Sequence, residues 1–92
     1  MSKDLKDKPQ VSLIPWEALK AITRGREYGL DKYGNDTHYS VNSDHFLEAS
    51  IRHIYKYWYE DPIDHESKLH HLDHAITSLA LAIDNLVLER KE

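Results

Sequence analysis

Three histidines, His70, His71 and His74, fall within five positions, and two acids, Asp64 and Glu66, stand just before them. Elsewhere the chain offers His53, set among aromatics, Glu48 and Arg52 four apart, and Glu27 and Asp31 four apart. Carboxylates are hard oxygen donors that suit magnesium or manganese, whereas imidazole favours manganese, zinc or another transition metal. Two histidines three apart on a helix, such as His71 and His74, can reach one ligand. Glu27, Asp31, Glu48, Asp64 and Glu66 with His53, His71 and His74 therefore make up an acid-and-histidine constellation. The chain has no HExxH pair, no phosphate-cradling glycine loop and no G-x-S-x-G elbow. Ser/His/Asp catalysis has no support from position in the sequence. With no cysteine, disulfides, thiolate metal sites and a cysteine nucleophile are excluded.

Each of these residues also has a plainer use. Glu48 and Arg52 can pair along one helix face. Asp64 can cap a following helix, with Glu66 in its first turn. A lone histidine placed as His53 is, among aromatics on a helix flank, is more often a satisfied boundary residue than a ligand. His71 and His74 read equally as a pair satisfied by carboxylates at a subunit interface. Lys20, Arg24, Glu27 and Asp31, spaced four, three and four, share a face. That face is either a solvated charge ladder or one that turns Glu27 and Asp31 into a cation site.

Three helices have to position these groups. A polar tail over residues 1–10 leads into an extended arm, in which Ser12, Leu13 and Ile14 can lie across a groove of the body. Pro15 suits the first turn of a helix over residues 15–33, with Leu19, Ile22, Leu30 and Tyr33 as its apolar stripe. Gly25 and Gly29 weaken that helix unless something packs close against them, and Gly34 is its stop signal. The polar loop 34–43 offers Asn42 or Ser43 as the next cap. A second helix over residues 44–59 has the core stripe Leu47, Ile51, Ile54 and Trp58, with Phe46, Ser50, His53 and Tyr57 on a flank. A third, over residues 66–89, carries the seam Leu69, Leu72, Ile76, Leu79, Ile83 and Leu86. Beside that seam runs a polar stripe of His71, His74, Ser78 and Asn85 with small neighbours Ala75 and Ala82. The third helix is apolar on more faces than one small chain can cover, which implies burial in a homo-oligomer. The whole is an all-α fold with no strand pattern and no repeat, one domain over residues 11–92.

Composition narrows the function. A net charge of −4 without a basic stripe argues against direct nucleic-acid binding. An acidic protein that takes a phosphorylated small molecule usually needs a divalent cation between the two sets of charge. The opening MSKDLKDKPQ has no apolar secretory core, and no run approaches a membrane span of about 18 residues. The expected address is the cytoplasm.

Four stretches in order carry a resemblance. KPQVSLIPWEAL at residues 8–19 is similar to KPxxxLIPxEAL, YGLDKYG at 28–34 and the Arg52–His53 pair follow, and DHESKLHHLDHA at 64–75 resembles D-x-E-x-G-x-x-H-L-x-H-A. Together they resemble the phage-associated dATP/dGTP diphosphohydrolase N-terminal domain family, related to the all-α MazG/HisE-like nucleotide pyrophosphatases. The resemblance implies an all-α bundle of three main helices plus an N-terminal arm, assembled as a dimer or tetramer. It implies release of pyrophosphate from a deoxynucleoside triphosphate such as dATP or dGTP, leaving the monophosphate. It also implies Mg2+ or Mn2+ to neutralise the phosphates and position the attacking water.

Carried over by position, the resemblance places metal or water on Glu48, Asp64 and Glu66. It assigns catalysis to Glu48, His53 and Glu66, and nucleotide binding to Lys32, Tyr33, Arg52, His71 and His74. Departures accompany it: Lys68 replaces the usual glycine, Ser78 an asparagine, and Thr37 and His38 an Asn-Trp pair. MazG-type enzymes carry ExxE and ExxD pairs where this helix has His71 and His74, with Asp73 on another face. Those histidines favour an alternative reading, a protein that sequesters a nucleotide or nucleotide signal without cleaving it. A structural or regulatory interaction protein is the third.

Overall fold

The protein, represented by a computed structural model, is described over residues 8–34 and 38–90; most of the expected tail, and Thr37, lie outside these. Helix α1 spans Trp16–Tyr33, α2 spans Ser43–Tyr59 and α3 spans His71–Arg90. Single 3-10 turns occur at Val11–Leu13 and His38–Ser40. Among the described residues the only β-type pairing is an isolated bridge between Ile63 and His70, so the fold is all-α.

The helix ends follow from local chemistry. Pro15 precedes α1, and Gly34 ends it at φ 86°, with its N–H on the Leu30 carbonyl at 2.8 Å. A left-handed C-terminal residue of this kind is glycine's usual role. Asn42 caps α2, its side-chain oxygen accepting from the Asp44 N–H at 2.8 Å. Glu89 of α3 adds a second clamp there, accepting from the Ser43 N–H at 3.1 Å and hydroxyl at 2.9 Å.

The start of α3 departs from expectation. Asp64 does not cap a helix beginning at residue 66. Residues 62–71 instead form a closed loop, in which the Asp64 N–H donates to Leu69 O at 2.8 Å and the His71 N–H to Pro62 O at 2.8 Å. His70 takes over the capping, its Nδ1 accepting from the Leu72 N–H at 3.0 Å. Lys68 sits inside the loop at φ 67°, where a side chain is strained. This is the position at which the resemblance leads one to expect glycine. Lys68→Gly is expected to raise stability by about 0.5–1 kcal/mol, the strain relieved less glycine's added chain entropy. Lys68→Ala should give no such gain, and equilibrium denaturation of the two variants checks this.

α3 is the common platform. Both α1 and α2 pack on it, and among the described residues they make no close approach to each other. The α2–α3 contact is built from small and polar residues: Ser43 and Ser50 on one side, His71, Ala75, Ala82 and Asn85 on the other, all buried. The Ser50 hydroxyl donates to the Ala75 carbonyl at 2.9 Å. α1 crosses the opposite side, where a Cβ added at Gly25 would stand 2.7 Å from Thr77 Cβ. Gly25 is thus the close-approach glycine that the sequence called for, whereas Gly29 faces open space.

The expected apolar stripes are not the buried ones. Leu47, Ile51 and Trp58 of α2 and Leu72, Leu79, Ile83 and Leu86 of α3 are exposed, Trp58 at 64% and Ile83 at 59%. The flank carrying Ser50 and His53, and the polar stripe of α3, face inward instead. The N-terminal arm also departs from expectation. Val11 and Leu13 form a turn, and they and Ile14 remain exposed rather than lying in a groove.

Candidate functional site

The closed loop presses Asp64, Glu66 and Ser67 against the start of α3, where α2 brings His53 and the end of α1 brings Tyr28 and Lys32. His53 Nδ1 and His71 Nδ1 are 2.9 Å apart, so one proton is held between two rings. The rings of His53 and His74 stack with centroids 4.6 Å apart and planes at 18°. Tyr28 meets His74 edge-on at 5.5 Å. The Ser67 hydroxyl donates to Asp64 Oδ2 at 2.6 Å and lies 2.6 Å from His74 Nε2, which is itself 3.5 Å from Asp64 Oδ2. The Ser67 N–H adds a further bond to Asp64 Oδ2 at 3.1 Å.

A few ångströms out, Glu66 Oε1 accepts from Lys32 Nζ at 2.7 Å and the Tyr28 hydroxyl at 2.9 Å. Lys32 Nζ lies over the Tyr33 ring at 5.5 Å and the Tyr28 ring at 5.8 Å. The site therefore has a histidine stack with its Asp–Ser partner on the inside and an exposed Lys–Glu pair between tyrosines at its edge.

The electrostatics follow from this layout. Burial, then repulsion from His74 and His71, brings the His53 pKa down to about 4. Burial also lowers His74, and the nearby Asp64 only partly opposes it. For Asp64, burial favours protonation, but the two Ser67 hydrogen bonds outweigh it and hold its pKa below the ordinary carboxylate value. The bond from Lys32, then that from Tyr28, lowers Glu66, and the same contact raises Lys32. At neutral pH His53 and His74 are thus neutral imidazoles beside the Asp64 carboxylate.

These shifts set a pH dependence of folding. The folded His53 binds its proton more weakly than the unfolded one, whose value is near 6.5. The stability it contributes is full above pH 6.5 and is lost as pH falls through about 4. Allowing for partial solvation of the ring, the loss is about 1–2 kcal/mol. A denaturation midpoint that is level from pH 8 to 7 and falls between 6.5 and 4 is expected, and His53→Gln should flatten that fall.

The site gathers His53, His71, His74, Asp64, Glu66, Lys32 and Tyr33. It does not gather Glu48 and Arg52, which are exposed on α2 and form no ion pair with each other. Glu27 and Asp31 are exposed, and Arg24 of the same supposed ladder turns away to Asp73 on α3. Asn85 leaves the stripe for a structural task, its Nδ2 donating to His38 O at 2.7 Å and Val41 O at 2.6 Å. Ser67 and Tyr28 are the residues that sequence reasoning missed. Tyr28 stands one helical turn before Lys32 within YGLDKYG, a spacing that puts both on one face. Ser67 gives no such signal.

The described carboxylates do not assemble a metal site within one chain. Asp64 Oδ2 is taken by Ser67 and His74, and Glu66 Oε1 by Lys32 and Tyr28. Among the described residues no three His, Asp or Glu side chains stand where they could share an ion. Nor do Ser67, His74 and Asp64 form a nucleophilic triad. Asp64 receives both the Ser67 hydroxyl and the His74 Nε2 side, so the histidine does not stand between acid and serine as a relay requires.

The model of the family described as dATP/dGTP diphosphohydrolase, N-terminal, matches residues 2–92. The chain belongs to that family. The match spans every element described above, from the Val11–Leu13 turn to the end of α3. No curated protein and no solved structure matches the chain. The diphosphohydrolase family thus has here a member with three helices and a histidine-centred site. Among its described residues no helix is long and apolar enough to cross a membrane.

Proposed function

We propose that the protein hydrolyses a purine deoxynucleoside triphosphate to the monophosphate and pyrophosphate. One observation carries the reading beyond family membership. The shared motifs at residues 28–34, 52–53 and 64–75, distant in sequence, supply Tyr28, Lys32, His53, Asp64, Glu66, His71 and His74 to one end of α3. Lys32, between two tyrosines, offers the triphosphate a cation, and a phosphate there competes with Glu66 for it. The neutral imidazoles of His53 and His74 can donate and accept hydrogen bonds to the substrate or its water. Mg2+ or Mn2+ is proposed to accompany the nucleotide. Since the described residues of one chain do not assemble a site for it, Glu48 and the remaining carboxylates would be joined by those of a second copy. A homo-oligomer in the cytoplasm is part of the proposal.

A second reading rests on the same lack of a three-acid site among the described residues: the fold binds a nucleotide and does not cleave it. Incubation with each dNTP and NTP, with Mg2+ or Mn2+ and with chelator, separates the two. Metal-dependent appearance of monophosphate and pyrophosphate is the expected result. Tight binding without turnover would replace the hydrolase by the sequestering protein, and no binding at all would remove both.

A further inference from the structure

Val11, Leu13, Ile14 and Trp16 stand close together ahead of and at the start of α1, and all four are exposed, Leu13 at 74%. The backbone that carries them is nevertheless fixed. The Leu13 N–H donates to Gln10 O at 3.0 Å and the Ile14 N–H to Val11 O at 3.1 Å. Ile14 and Pro15 then continue extended, with Pro15 at φ −61°. Among the described residues the hydrogen bonds of residues 10–14 stay within this arm, so none ties it to the three helices. An ordered apolar segment that buries nothing gives up chain entropy without return, and such patches mark interaction surfaces. A place that fits the arm exists on the same molecule. α1 and α2 diverge over α3 and leave an open groove of about 350 Å³ between them. Ala21 forms one wall, Ser50 and Ile54 the other, and Leu72, Ile76 and Leu79 the floor. The polar groups at its edge are already engaged, Ser50 on the Ala75 carbonyl and Asp73 on Arg24. An occupant must therefore be apolar and bring few unsatisfied backbone groups. The arm meets both conditions: the Leu13 and Ile14 N–H groups are bonded within its own turn, and Pro15 has none.

We propose that the Val11–Trp16 arm of one copy lies in the α1–α2 groove of a second copy, whose own arm lies in the groove of the first. Each copy carries both halves of the contact, so the exchange closes on itself with two-fold symmetry and leaves no free arm to propagate. Ala21 on the groove wall is only about 7.5 Å along α1 from Trp16, so arm and groove border the same stretch of that helix. With two arms and two grooves the surface removed from water is on the order of the 1,200 Å² that a specific interface needs. Leu72 and Leu79 on the groove floor also belong to the exposed seam of α3, part of which the exchange dries. The inference rests on self-association, as the proposed function does, and not on nucleotide turnover.

The chain has no cysteine, so introduced thiols report alone. Full-length Leu13→Cys protein is mixed with affinity-tagged Leu72→Cys protein, left to exchange subunits and treated with a short bismaleimide. A covalent heterodimer is expected, whereas Leu13→Cys with Thr23→Cys, which is exposed on α1 away from the groove, should give none. In a chain carrying both Leu13→Cys and Leu72→Cys the link should join two copies and disappear on dilution. A link that persists within one chain at every dilution would mean that the arm folds onto its own groove, and the exchange is then wrong. Leu13→Glu, with its fold checked by circular dichroism, should raise the Kd of self-association about 10–100-fold, since one large apolar side chain is lost from each arm. An unchanged Kd, or a dimer or tetramer with no Leu13–Leu72 link, overturns the inference and leaves the α3 seam as the interface. A monomer at every concentration overturns both the exchange and the oligomer of the proposed function. Cross-linking in a protein that turns over no dNTP would sink the hydrolase reading alone.

Discussion

Replacing Asp73 with alanine is expected to cost about 2–4 kcal/mol of stability, a large share of what a domain of this size has. Asp73 lies in the first turn of α3, where the helix dipole favours an anion. It accepts from Arg24 Nε at 2.9 Å and Nη2 at 3.0 Å, a bidentate pair between residues 49 apart. Its side chain is 11% exposed and that of Arg24 42%. The difference sets the size of the effect. Truncating a fully buried pair costs about 3–5 kcal/mol because the remaining charge is stranded, but Arg24 can turn partly into water. Arg24→Ala strands the more buried partner and should cost at least as much. Arg24→Met with Asp73→Leu should recover most of the loss, since neither charge then remains. Urea denaturation reads all four proteins. An Asp73→Ala cost under about 1 kcal/mol would mean that the Gly25–Thr77 crossing alone ties α1 to α3.

The pair also shows which parts of this protein a sequence can reveal. The ends of α1 and α2 were legible to within a residue because their signals are local: Pro15, Gly34 and Asn42 act on their own backbone. The start of α3 was misplaced by five residues, because Asp64 has the chemistry of a cap and spends it on Ser67. The strained Lys68, where the motif has glycine, was the available clue that the helix had not yet begun. That Asp73 points away from His71 and His74 followed from helical periodicity. That its partner is Arg24 did not, since periodicity is silent about what lies opposite. The histidine site was half legible for the same reason. His71 and His74 share a stripe on one helix, but Ser67 and Tyr28 reach them only through a loop closure and a helix crossing.

The last expectation concerns the faces that came out reversed. On α3 the residues inward of α2 are His71, Ala75, Ala82 and Asn85, whereas the leucine and isoleucine seam is left outside. Hydrophobic periodicity reports which face is dry in the assembled protein, not which partner dries it. Among the described residues Ala75 and Ala82 are the only apolar ones fully buried, with Ile22, Ile54 and Ile76 half-buried, a thin core for three helices. The exposed set on α2 and α3 runs from Leu47 through Trp58 and from Leu72 through Leu88. Burying four such side chains per copy contributes about 6–12 kcal/mol before the cost of association. We therefore expect wild-type protein to sediment as a dimer or tetramer, with a thermal midpoint that rises with concentration. Ile83→Glu, or Leu79→Glu beside it, places a charge in that seam and should weaken association by about 2–4 kcal/mol, a factor of roughly 30 to 1,000 in Kd. Thr23→Glu, on an exposed position of α1 outside the seam, should leave the assembly unchanged. A wild-type monomer whose midpoint does not depend on concentration would show that the seam is not an interface between copies. The loop-and-helix site would then have to work with the carboxylates of one chain.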